Sequence, residues 1–364
     1  MRVLHVITGL DAGGAEHQLR LLLPRLPVEC EVVTLSHPGV VAGAIRAGGT
    51  VVHELTMRGN RDVTVVPRLV RLIRRGGFDL VHTHLYRACV YGRVAARLAG
   101  VPAVATEHSL GDGVIEGHRT SAGVRALYLT TERLGRMTIA VSGAVTGRLL
   151  AWGVPAHRIT VIPNGIDPGE FRFDPRLRDA TRAELGVTPD VPVVGAVGRM
   201  VAGKRFDLLV QALPALPGTV LLLVGGGPAV PALRACATRL GVADRVIITG
   251  ETAGTREWYC AMDLFVSPSP RETFGLTVLE ALASGLPAVY ACCPALDDVP
   301  AGGSWRRIDR PAALPGALAA GLDRGGARLP VPAVVGHYDI ARAARSVADL
   351  YQRIAPRVGE GIAP

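Results

Sequence analysis

Short β-branched runs alternate with amphipathic helical stretches through the first half of this 364-residue chain, and that alternation limits its folds more than any other feature. RVLHVIT, CEVVTLS, TVVHEL, DLVHTH and PAVATEH are apolar runs; AEHQLRLLLPRL, VTVVPRLVRLIRR and CVYGRVAARLAG lie among them with helical spacing. Apolar runs of strand length point to strands buried on both faces, and the intervening helices are the crossovers that parallel strands require. The reading is a doubly wound α/β domain.

The pattern restarts after VIPNGIDPGEFRFDP, a stretch rich in Pro, Gly and Asp that reads as a hinge or linker. PVVGAVG, TVLLLVGGG, RVIITG, LFVSPS and PAVYACC follow, with helices DLLVQALPAL, PALRACATRL and GLTVLEALASG. A chain of this length divides naturally into two cores. The expected architecture is α/β: two Rossmann-like, doubly wound parallel-sheet domains facing each other across a central cleft, residues 1–165 and 166–335. A terminal segment, 336–364, contains the amphipathic helix YDIARAARSVADLYQRI.

Composition matters at three points. Hydrophobic residues at 49% and charged residues at 20% exclude a disordered chain. The opening MRVLHVITGL is broken too soon by Gly9 and Asp11 to be a secretory signal or membrane span, and reads as a first strand. Cysteines 30, 89, 236, 260, 292 and 293 form no C-x-x-C pair, which suits a reducing, cytoplasmic setting. The net charge of +9 gathers in the first half, where Met1–Asp167 holds 19 Arg against 12 Asp plus Glu. VPRLVRLIRR concentrates it, with Val66, Leu69, Val70, Leu72 and Ile73 on one face and Arg68, Arg71, Arg74 and Arg75 on the other. The reading favoured is a crossover helix packed on its sheet with solvated arginines; peripheral contact with anionic lipid is the alternative. No nucleic-acid partner is expected.

Lys204, in GRMVAGKRFD, is the only lysine beside thirty-nine arginines. Gly198, Gly203 and Lys204 satisfy G-x-x-x-x-G-K, but Arg205 replaces the hydroxyl that would hold Mg2+, and no metal-binding Asp ends a later strand in the expected context. GLDAGGAE and VGGGPA are glycine-rich turns after strands, yet neither spells G-x-G-x-x-G. In PRETFGLTVLEALASGLP a helix begins near Gly275, so Glu272 lies in the loop at its entrance and Glu280 about one turn in. The amides of Phe274, Gly275 and Leu276 would be offered there to an anion or polar ligand, with both acids lining it. A first-turn Glu favouring the helix dipole and a second, solvated Glu is the bland alternative. His82 and His84 are spaced like a metal pair, but without a carboxylate or cysteine cluster they read as strand-end packing, and no metal is expected.

Taken together these stretches resemble a specific family. GGAEHQL, VHTH, TEHS, AVS, VIPNGID, VGRMVAGKRFDLLVQAL, LLVGGGP and the E-x7-E block SPSPRETFGLTVLEALASGLP look, in order and spacing, like the retaining glycosyltransferases of family four, with GT-B architecture, over residues 1 to about 290. The resemblance implies a metal-independent retaining transferase moving a hexosyl or N-acetylhexosaminyl unit from a nucleotide sugar, UDP first and GDP or ADP next, to a hydroxyl acceptor: a small molecule, a glycan or a lipid-linked glycan. Arg199 and Lys204 would neutralise the diphosphate, Glu280 would take the ribose hydroxyls, and Glu272 with the amides of Phe274, Gly275 and Leu276 would hold the transferred sugar. Gly13 and Gly14 would approach the diphosphate where a Cβ would collide with it, and His108 would stand near the sugar. Alternatives are a sugar-nucleotide epimerase, a phosphorylase, or a non-catalytic sugar-nucleotide binder. ACCPALDDVPAGGSW departs from the family's glycine-rich loop, and residues 291–335 look compressed. The last helix resembles one that crosses back to the first domain.

Overall fold

The structure, a computed structural model, describes residues 1–11, 13–108, 114–115, 118–252, 254–300, 302–323 and 325–355. Two compact units emerge: Met1–Gly165 with Ile340–Pro364, and Ile166–Asp339.

In the first unit seven strands form one sheet: β1 (Arg2–Ile7), β2 (Glu29–Thr34), β3 (Val51–Glu54), β4 (Leu80–His84), β5 (Ala103–Glu107), β6 (Met137–Ala140) and β7 (Ile159–Val161). Their order is β3-β2-β1-β4-β5-β6-β7, parallel throughout. The first five coincide with the apolar runs of the sequence; β6 and β7, of four and three residues, fall outside those runs. The register sets His5 beside His82, and His84 beside both Ile7 and Thr106. Because side chains alternate along a strand, His5, His82 and His84 share one face.

That face is covered by the helix Ile340–Ile354, whose Ile340, Ala344, Val347, Leu350 and Tyr351 pack with Val3, Leu80, Val104 and Ile139. The opposite face takes the helix Val65–Gly76, with Val65, Leu69 and Ile73 buried among Leu4, Val6, Val33 and Val81. Its apolar stripe thus covers the sheet, while Arg68 donates to the Thr56 carbonyl at 3.2 Å and Arg74 to that of Leu98 at 2.7 Å. No helix among the described residues is long and apolar enough to cross a membrane.

The second unit repeats the plan with six parallel strands: β8 (Val193–Val197), β9 (Val220–Val224), β10 (Val246–Ile248), β11 (Leu264–Ser267), β12 (Ala288–Tyr290) and β13 (Trp305–Arg307), ordered β10-β9-β8-β11-β12-β13. β9 shows why an unbroken apolar run is needed: Leu222 and Val224 enter one core, Leu221 and Leu223 the other. β13 lies in the stretch that reads as compressed, and its half-exposed, arginine-bearing WRR carries no apolar signal.

Past the carboxyl ends of β8 and β9 the two loops are laced together by main chain. Gly198 N donates to Val224 O at 2.9 Å, Met200 N to Gly226 O at 2.7 Å, and Ala229 N to Met200 O at 2.9 Å. The glycine triplet serves this approach. Gly225 has φ +128°, and a Cβ there would lie 2.3 Å from the Gly198 carbonyl oxygen.

Candidate active site

In the second unit, β8 runs out into the turn Gly198–Lys204, and the loop Ser269–Gly275 leads from β11 into the helix Leu276–Ala283. These segments bring Lys204 and Glu272 together: Lys204 Nζ donates to Glu272 Oε1 at 2.6 Å, with the lysine side chain 35% and the glutamate 15% exposed. A single-turn 3-10 helix, Ala202–Lys204, sets the lysine's position, closed by Lys204 N on Val201 O at 3.0 Å. Arg205, where the phosphate-loop pattern wants a hydroxyl, adopts φ +55° and spends its guanidinium on Asp207 at 3.1 Å. Arg199 is exposed, and its guanidinium meets no partner among the described residues.

The acidic loop is held from behind. Phe274 is buried, edge-on to Tyr338 at 5.1 Å, and its carbonyl accepts from Ala295 N at 2.9 Å. Gly275 caps the helix with φ +103°, a conformation open to glycine, and a Cβ there would sit 2.4 Å from Cys293 Sγ. The amides of Phe274, Gly275 and Leu276 have no acceptor among the described residues, as helix amino termini leave them. Glu280, one turn further on, accepts from the Tyr259 hydroxyl at 2.7 Å. Tyr259 is fully buried between Phe171 and Phe265, and burial together with Glu280 holds its phenol well above the usual range, so it remains a donor. Sequence reasoning misses Tyr259: twenty-one residues before Glu280, it carries no local signal.

Gly13, Gly14 and His108 belong to the first unit. Gly13 caps the helix Gly14–Leu22, and a Cβ on it would lie 2.3 Å from Glu16 Oε2, so here the absent side chain leaves room for a flexible carboxylate. His108, just past β5, joins a buried group of imidazoles that the sequence only half disclosed. His5 Nδ1 lies 3.0 Å from His84 Nε2, and His84 Nδ1 lies 3.2 Å from His108 Nε2. His82 instead binds the Tyr351 hydroxyl through Nδ1 and Thr106 Oγ1 through Nε2, the latter at 2.7 Å. The strand-parity signal was present, since β1 and β4 each place histidine on the same face. His5, His82 and His84 offer ring nitrogens within 4.8 Å of one another, as a cation site would. Their rings pack on one another: His5 and His84 stack at 17° from parallel, while the centroids of His82 and His84 are 4.2 Å apart with the rings tilted by 31°.

Burial pushes His5 down to about 3 and His108 to about 4, and it holds His82 and His84 well below the imidazole range, with the neighbouring imidazoles adding to the effect. All four are neutral at pH 7. Unfolded, each takes up a proton below pH 6.5 that the folded chain refuses, so stability present above pH 6.5 is lost as the pH falls toward 4. Stability should therefore rise with pH across that window. Melting temperatures between pH 7.5 and 4.5 should fall steeply below 6.5; a flat profile contradicts the network.

Two units, each built on a parallel sheet of Rossmann order, have the plan of GT-B glycosyltransferase structures. Residues 12–170 match the model of Glycosyltransferase Family 4, and residues 191–323 that of Glycosyl transferases group 1. D-inositol 3-phosphate glycosyltransferase of Nocardia farcinica is 33% identical over 325 residues, covering 77% of this chain and 70% of that protein. The protein of the same name from Xylanimonas cellulosilytica is 34% identical over 248 residues, covering 62% of this chain but only 58% of that relative's length. Among solved structures, that of Anabaena HepE in complex with UDP-glucose superposes with a TM-score of 0.85 at 23% identity, covering 97% of this chain and all of that one. The chain belongs to glycosyltransferase family 4.

Proposed function

We propose that the chain transfers a hexosyl or N-acetylhexosaminyl unit from a nucleotide sugar, a UDP-sugar first, to a hydroxyl acceptor, retaining the anomeric configuration and using no metal. The observation that carries this reading is the Lys204–Glu272 contact in the loop that leads to three amides, at the start of the helix Leu276–Ala283, with no acceptor among the described residues. A diphosphate leaving group gains charge as the glycosidic bond breaks. Lys204, with the exposed Arg199, would stabilise that charge more in the transition state than in the ground state. Glu272, released from the lysine, and the amides of Phe274, Gly275 and Leu276 would hold the sugar hydroxyls. Glu280, fixed by Tyr259, would accept from the ribose. Two cations at the place of developing charge do the work a metal would otherwise do.

The bond from the anomeric carbon to the leaving phosphate oxygen would break while the acceptor oxygen bonds to that carbon from the same face. The acceptor's proton would pass to the departing phosphate oxygen. A solved neighbour carrying UDP-glucose supports UDP as the first nucleotide to try, and relatives named for D-inositol 3-phosphate suggest polyol phosphates as first acceptors. Incubation of UDP-, GDP- and ADP-sugars with such acceptors, followed by NMR of the anomeric proton, tests the reading. An α-donor should give an α-product, unaffected by EDTA. A β-product, loss of activity with EDTA restored by Mg2+, or donor interconversion without an acceptor would each overturn it.

A further inference from the structure

Among the described residues the side chains of Lys204 and Glu272 have no partner but each other, so in the free protein each is occupied by the other. Both belong to the second unit. Neither backbone is free to follow its side chain. Lys204 N is held on Val201 O at 3.0 Å. The acidic loop is tied before the glutamate by Ser269 Oγ, which donates to Arg271 O at 2.9 Å, and after it by Ala295 N, which donates to Phe274 O at 2.9 Å. A change of partner therefore falls to the two side chains. The neighbouring Arg205 does not compete for Glu272, because its guanidinium is spent on Asp207 at 3.1 Å.

A sugar hydroxyl arriving alone meets a Glu272 whose Oε1 already holds a cation. A diphosphate arriving at Lys204 offers it more negative charge than one carboxylate does. Once the lysine turns to the diphosphate, Glu272 is left as a carboxylate only 15% exposed, without a donor and beside the incoming negative charge. Sugar hydroxyls, each an O–H donor, then supply what the lysine withdrew. We propose that the Lys204–Glu272 ion pair is a latch coupling the two halves of the donor site: a diphosphate opens it, and only then does Glu272 accept from the sugar. This rests on the roles given to the two residues in the proposed function. The same exchange runs backwards after transfer. When the sugar has left with the acceptor, Glu272 returns to Lys204 and helps to expel the nucleoside diphosphate. Coupling between two ligands is reciprocal, so the factor by which UDP tightens hexose binding equals the factor by which hexose tightens UDP binding, about 5- to 150-fold in typical cases.

Lys204 is the only lysine in the chain, so protein labelled with 13C,15N-lysine gives a single side-chain NMR signal that reports the latch. That signal should differ between wild type and Glu272→Gln, which keeps the shape of the partner but not its charge. In the wild type it should move on addition of UDP and stay in place with glucose or N-acetylglucosamine alone. Titration calorimetry should show UDP binding tightened at least about five-fold by the hexose. The gain should shrink toward none in Glu272→Gln, where no ion pair has to be broken. A Lys204 signal displaced by hexose alone, one identical in wild type and Glu272→Gln, or equal coupling in the two proteins overturns the latch. Should the variant fail to fold, the wild-type signal with UDP and with hexose alone still decides. UDP that binds and moves Lys204 with no coupling to hexose overturns the latch and leaves the proposed function standing, whereas failure of every nucleoside diphosphate to bind sinks both.

Discussion

Lys204→Ala is expected to fold normally and to lose about 10²–10³-fold in kcat, the cost typical of removing one preorganised group that stabilises developing charge. The structure adds a second consequence. Glu272 would lose the partner 2.6 Å away that orients it before substrate arrives, so the defect should reach sugar binding as well as diphosphate departure. Lys204→Arg should restore only part of the rate, because a planar fork cannot occupy the position of a compact ammonium. Steady-state kinetics on the best nucleotide sugar, beside melting curves of both variants, decide the matter. Wild-type kcat in Lys204→Ala would remove the lysine from the mechanism.

The second large effect concerns stability and lies at the other end of the second sheet, where β11 begins. Asp263 is 6% exposed and receives Arg178 at 2.6 Å on one oxygen, with Arg182 at 2.6 Å and Val193 N at 2.8 Å on the other. Arg182, 2% exposed, also donates to the carbonyls of Ala261, Thr188, Pro189 and Val191. Removing the acid strands a buried guanidinium, and breaking a buried pair from one side costs about 3–5 kcal/mol. Asp263→Ala should therefore lower the unfolding free energy of the second unit by that amount, read as a lower urea midpoint. Arg178→Ala, at the more exposed arm of the pair, should cost less. Equal midpoints for Asp263→Ala and wild type would mean that the triad contributes nothing to stability.

The two sheets were legible because burial on both faces leaves an unbroken apolar run, and LVHTH and VLLLV belong to strands whose neighbours cover them on either side. What escaped was either short or remote. β6, β7 and β13 are strands by virtue of their neighbours and not of their composition. Arg178 and Arg182 are four apart on the polar helix Pro175–Glu184, and nothing local marks them, because their acid lies 81 or more residues onward in the chain. The acidic loop and its helix entrance could be placed from PRETFGL alone, since a glycine before an apolar helical run marks the start. The glycines of LLVGGGP were visible, but not their use, because the contact they permit is with a loop more than twenty residues earlier. His82 and His84 were read as strand-end packing. That describes His82, held between two hydroxyls, and understates His84, which links His5 to His108.

The helix Ile340–Ile354 completes a sheet whose last strand, Ile159–Val161, ended about 180 residues earlier. On a ribosome adding about 5–20 residues per second, the first unit's sheet waits roughly ten to forty seconds for its cover while all of the second unit is made. During that wait Val3, Leu80, Val104 and Ile139 lack their apolar partner, and His82 lacks the Tyr351 hydroxyl. The nascent chain thus carries a sticky, incomplete surface through about half of its synthesis, and the second unit, encoded without interruption, is free to finish before the first.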